Sequence, residues 1–133
     1  MSYQMLLFDF HGRIGRKWFW ITTLFLLVFP FAWGFAMAWL LDFRPWKIRS
    51  VSDLVLVLIN GILLVFYCVA TAAVQVKRWH DRNKTGWWIL FQFLPAVGMI
   101  WTFVETGFVR GTDGPNRYGP DPRVDPRAAL DGV

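Results

Sequence analysis

Three stretches of this chain, residues 18–41, 54–76 and 87–109, run for 24, 23 and 23 residues with Glu105 as their only charged side chain. At about 1.5 Å of rise per residue, each would form a helix roughly 34–36 Å long. The hydrocarbon core of a bilayer is about 30 Å thick. In lipid the backbone has to satisfy its own hydrogen bonds, which favours helices over strands. The predicted fold class is therefore all-α: an integral membrane protein with three transmembrane helices, short basic loops and a Gly/Pro-rich C-terminal surface segment. Residues 1–122 read as a single membrane domain, and residues 123–133 as a disordered tail.

Composition supports this reading. Apolar residues make up 56% of the chain and charged residues 17%, against about 45–50% and about 25% in soluble domains. Several of the nine Trp stand where an apolar run meets a polar one, as in a membrane interfacial belt. The net charge of +5 comes from basic residues flanking the apolar runs. That placement suits anionic lipid headgroups and makes membrane lipids, not nucleic acid, the expected partner. Cys68 stands alone, which excludes an intramolecular disulfide and a cysteine-based zinc knuckle. The first run carries 18 apolar residues before Ala36. A signal-peptide core has about 7–15, so this run is read as a retained span.

With three spans, the N-terminus and the 77–86 loop share one face, and the 42–53 loop and the tail share the other. Each face then holds seven Lys and Arg. The charges closest to span ends, Arg16, Lys17, Lys77, Arg78 and Lys84, lean the orientation to N-terminus inside and C-terminus outside. Pro30 and Pro95 are expected to kink their helices. A re-entrant turn at Pro95-Ala96-Val97-Gly98 is the competing reading. Such a loop must be buried in protein, and three helices offer little cover, so a full span is preferred.

Three clusters interrupt this apolar background. In residues 12–20, Trp18 and Trp20 suit headgroup depth, while Arg13 and Arg16 can hold phosphate or a carboxylate. In residues 77–88, Arg78, His80 and Asp81 exceed what a loop needs. His80 can titrate near neutral pH, and Asp81 can pair with a nearby arginine. Thr85 is the expected cap of the third helix. Residues 111–122 are dense in turn formers and include Asn116, Tyr118 and Asp121; they are expected to form a compact cap at the membrane surface. Arg13, Arg16, Arg78, His80 and Asp81 are the candidate surface site, with Asp81 accepting from Arg13 or Arg16.

No nucleophile accompanies His80 and Asp81, so no catalytic residue is assigned. His11 and His80 share a face with Asp9 and Asp81, but their spacing matches no zinc pattern, and no metal or cofactor is assigned. Within the spans, Asn60 and Gln92 are expected to bond across helices, and Gln75 and Glu105 to snorkel. Ala32, Gly34, Ala36 and Ala38 give small-residue spacing for close helix contact.

Taken in order, these motifs resemble the small bacterial inner-membrane proteins grouped as domain of unknown function 805. The residues that carry the resemblance are Gly12, Arg13, Arg16, Phe19 and Trp20, then Arg78, His80, Asp81, Gly86, Trp87 and Trp88. Pro95 and Gly98 follow, and then Gly111, Gly114, Asn116, Tyr118, Gly119, Asp121 and Pro122. Trp79 stands where Leu is expected. The resemblance implies a bacterial inner-membrane location and adds no activity. The expected function is non-enzymatic: binding a second copy or another membrane protein, or stabilising an assembly. An oligomeric transporter or channel for a small solute is the alternative, followed by a lipid-headgroup enzyme using His80 and Asp81.

Overall fold

A computed structural model describes residues 7–40, 42, 45 and 48–124. Most of the predicted disordered tail and much of the 42–53 loop, including Arg44 and Lys47, lie outside the described residues. Among the described residues the chain is helical, with one isolated β-bridge between Asn116 and Gly119.

Helix α1 covers Arg16–Leu40 and runs through Pro30. Helix α2 covers Val51–Asp81, about 46 Å at the usual rise. A capping box starts it. Ser50 Oγ accepts the Asp53 amide at 3.3 Å, and the Asp53 carboxylate accepts the Ser50 amide at 3.1 Å. Helix α2 outruns the hydrocarbon thickness, so Lys77–Asp81 can stand at headgroup level while the apolar stretch spans. Asn83, at φ 56°, ends it: the Asn83 amide reaches His80 O at 2.9 Å, and the Lys84 amide reaches Trp79 O at 3.0 Å.

Among the described residues, these two helices are the ones long and apolar enough to cross a membrane. Only 11% and 6% of their most apolar stretches are buried. Phe31, Phe35, Trp39 and Leu64 all face outward. A monomeric soluble protein rarely exposes contiguous apolar surface on this scale. The helices meet through Phe19 and Leu26 of α1 and Ala70 and Val74 of α2, with Tyr67 packed alongside. Trp33 Nε1 also donates to Asn60 Oδ1 at 2.9 Å. The small-residue stripe does not form a close contact at Gly34, where an added Cβ would meet open space.

The third apolar run is not one helix. A 3-10 helix covers Gly86–Phe93, the chain breaks over 94–96, and helix α3 covers Val97–Gly107. The preferred full span is therefore corrected to a hairpin. Pro95 cannot donate to a continuing helix, and Ala96 takes a positive φ of 56°. Gly98 then lets the two limbs touch, because a Cβ there would lie 1.9 Å from Phe91 O. The limbs begin and end together: Lys84 Nζ lies 2.7 Å from Glu105 Oε1, and Arg82 Nη2 lies 3.2 Å from it. Glu105 thus pairs with cations instead of snorkelling. Thr85 precedes the 3-10 helix, but its side chain makes no cap bond.

The hairpin also moves the tail. Residues 108–124 return to the end where α1 starts and α2 finishes, so the tail shares a face with the N-terminal lead. The lean to opposite sides fails with the full span on which it rested.

Candidate functional site

Asp81 is the centre of the cluster, at the last turn of α2. Both carboxylate oxygens are engaged from inside the protein. Oδ1 accepts Arg13 Nε at 3.1 Å and Arg13 Nη2 at 2.9 Å, while Oδ2 accepts Arg78 Nη1. The Arg13 and Arg78 side chains are fully buried, and that of Asp81 is 4% exposed.

The remaining arginine donors collect backbone carbonyls. Arg13 Nη1 donates to Gly114 O at 2.6 Å, and Nη2 to Thr112 O at 2.7 Å. Arg78 Nε donates to Thr106 O at 2.5 Å, and Nη2 to Val109 O at 2.6 Å. Two guanidiniums on one carboxylate thus tie the N-terminal lead, α2, the end of α3 and the tail into one clasp. The carbonyls at the end of α3 have no further helix to receive them; Arg78 takes that of Thr106 and Trp20 that of Gly107. Gly111 is required by this closeness: a Cβ there would lie 2.0 Å from Asp81 Oδ2.

His80 stands beside the clasp. Its ring stacks on Tyr118 with centroids 3.8 Å apart and planes 3° from parallel, and its Nδ1 lies 3.2 Å from Gly12 O. Asn116 Nδ2 donates to His80 O and to Thr112 Oγ1, both at 2.9 Å. The Thr112 amide and hydroxyl both donate to Asp81 O, at 2.8 and 3.1 Å. Asp121 accepts the Gly114 amide at 3.1 Å and the Arg123 amide at 3.0 Å. The Arg123 guanidinium beside Asp121 holds its carboxyl below the usual aspartate range, and its backbone amide bonds add to this. The reciprocal effect raises Arg123.

Of the sequence-derived site residues, Arg13, Arg78, His80, Asp81, Asn116, Tyr118 and Asp121 come together. Arg16 does not reach Asp81. It donates to Phe108 O at 3.1 Å, next to the Trp20 Nε1 bond to Gly107 O at 3.0 Å. His11 does not meet His80; it pairs with Asp9 at 2.9 Å. Among the described residues, no three of His, Cys, Asp and Glu gather around one point.

A second cluster was missed from the sequence. The Lys84 ammonium sits over Trp79, Trp88 and Trp101, at 5.3, 4.7 and 5.6 Å from the ring centroids, and bonds Glu105 as well. Cation–π attraction and the ion pair act on the same group. The signal lay in Glu105. A carboxylate near the end of an apolar run needs a cation at its own depth, and only a hairpin brings Lys84 there.

The family model for proteins of unknown function, DUF805, matches residues 7–120. The inner membrane protein YhaH of Escherichia coli (strain K12) is 35% identical over 118 residues, which are 88% of this chain and 89% of that protein. The inner membrane protein YhaI of the same strain is 32% identical over 119 residues, 86% of each chain. The uncharacterized protein YiiR is 29% identical over 145 residues, covering 91% and 90%. No solved structure matches.

Proposed function

The chain belongs to the DUF805 family of proteins of unknown function, and from that membership we propose that it is a bacterial inner-membrane protein that works by binding a protein partner. The partner is a second copy or another membrane protein. The observation that carries this reading is the hairpin. Phe93, one residue before the break, lines the same cavity as Leu27 of α1 and Tyr67 of α2, so the break lies deep along both helices. Leu94 and Val97, on either side of the break, are 53% and 75% exposed. Irregular backbone at membrane depth persists only where protein covers it or where it lines a water-filled cavity. A covering partner meets that demand.

On this reading α1 and α2 span, the hairpin re-enters, and both termini face the cytoplasm. Only Arg44, Lys47 and Arg49, of 14 Lys and Arg, lie between the two spanning helices. The other described Lys and Arg fall on the face that the positive-inside rule assigns to the cytoplasm.

The clasp supports a structural role over a catalytic one. Asp81 has no oxygen free of an arginine, and His80 is covered on one face by Tyr118. A lipid-headgroup enzyme would need that pair to meet substrate. An oligomeric solute pathway keeps one supporting observation, since a helix broken at membrane depth suits a transport site.

Pull-down from membranes after mild detergent extraction tests the reading. A stable homo-oligomer or one enriched membrane protein is expected, lost on substituting Val97→Lys. A monomeric chain with no enriched partner would overturn it. Solute flux in liposomes would move the preference to the transport reading.

A further inference from the structure

A cavity of about 520 Å³ opens between α1, α2 and the 3-10 limb of the hairpin. Its size falls within the range of small-molecule sites, about 300–1,000 Å³. Its lining is mostly apolar, with Leu26 and Phe93 among the contributors, and among the described residues it holds no acidic or basic side chain. Yet Thr23, Tyr67, Gln75 and Gln92 all line it. Their side chains make no hydrogen bond to any other described residue. Thr71, on the same wall, differs: its hydroxyl bonds Tyr67 O and Cys68 O of its own helix, both at 2.9 Å.

An amide without a partner in an apolar medium is costly. Two amides and two hydroxyls carried by residues around one space are therefore donors that a ligand there can use. Gln75 lies six residues before Asp81 on α2, about 9 Å deeper than the clasp at the helical rise. That is below the charged headgroup level and above the bilayer centre.

We propose that this cavity binds a neutral amphiphile, with carbonyl groups that accept from Gln75 and Gln92 and an apolar tail along Leu26 and Phe93. The absence of acidic and basic side chains from the wall disfavours a bare phosphate, carboxylate or ammonium inside it. Two kinds of membrane molecule offer this chemistry: the acyl-ester region of a glycerophospholipid, and the ring of an isoprenoid quinone. The inference rests on the membrane placement proposed above.

Native mass spectrometry of the detergent-solubilised protein tests it, with dioleoylphosphatidylethanolamine in one arm and decylubiquinone in the other. One adduct per chain is expected in at least one arm, and the arm that gives it identifies the source. Gln75→Leu with Gln92→Leu should weaken retention about ten-fold, which is about 1.4 kcal/mol. Ala72→Phe, which fills the cavity from α2, should abolish it, while Phe35→Leu on the outer face of α1 should leave it unchanged. Should the amide variant fail to fold, Ala72→Phe decides alone. No adduct in either arm, or equal retention in wild type and the cavity variants, would overturn the proposal. Solubility without detergent would instead overturn the membrane placement.

Discussion

Replacing Asp81 with Asn keeps the side chain's shape and removes its charge. In the clasp Oδ1 takes two donors from Arg13 and Oδ2 takes one from Arg78, with all three side chains at 4% exposure or less. Asn offers one acceptor and turns its amide nitrogen against a guanidinium donor. Two buried cations then lose their shared counterion. Breaking a buried ion pair from one side costs about 3–5 kcal/mol. For a chain of this size each kcal/mol moves the melting temperature by roughly 3–5 °C, by interpolation between smaller and larger domains. The Asp81→Asn variant should therefore melt about 10–25 °C below wild type in the same detergent, and protease should release its tail sooner. Arg13→Met should behave similarly, and the two together should cost less than their sum, because they break one unit. A melting temperature within about 2 °C of wild type would refute the clasp as a source of stability.

Gly111→Ala should destabilise comparably without touching any charge, since its Cβ would lie 2.0 Å from Asp81 Oδ2; a thermal melt checks this. C-terminal reporter fusions should be active for a cytoplasmic reporter and silent for a periplasmic one, because the hairpin returns the tail to the N-terminal side. Stability should also fall in acid. The folded-state pKa of Asp121 lies below its ordinary 3.8, held there by Arg123. Its contribution is thus full above that ordinary value and disappears as pH falls through the lower, folded one. The melting difference between wild type and Asp121→Asn should shrink over that window; a difference unchanged down to about pH 2 would contradict the pairing.

The two long helices were legible because an uninterrupted apolar run admits few other folds. Their ends were less so. Helix α2 begins three residues before the apolar run, where Ser50 and Asp53 build the cap, and continues five residues past it, where the clasp receives Arg78 and Asp81. The hairpin was misread because hydrophobicity reports what solvent a segment prefers, and two half-length limbs prefer lipid as much as one span does. Local chemistry carried the difference: Pro95 and Gly98 at the break, and Glu105 at the depth of Lys84. The equal division of basic residues between two faces was a symptom of the same error. At the site, the residue types on Asp81 were readable, but not which arginine reaches it. Arg13 and Arg16 are three apart and one enters the clasp while the other caps Phe108 O. The carbonyls of Thr112 and Gly114 left no trace in side-chain chemistry.

The clasp joins residue 13 to residues 112–119, which makes it a late event in the life of the chain. At about 5–20 residues per second, the ribosome takes roughly 5–20 s to deliver the carbonyls that Arg13 requires. Throughout that interval Arg13 has no acceptors from the tail, and a guanidinium without them stays out of the hydrocarbon. The hairpin likewise cannot be fastened before residues 105–114 emerge. On the membrane placement proposed above, the two long helices are complete before the hairpin can dock. A chain truncated before residue 112 keeps the pairs of Asp81 with Arg13 and Arg78 but deprives Arg13 of the Thr112, Gly114 and Gly119 carbonyls, so the carboxylate stays matched while the guanidinium donors that met them are left to water.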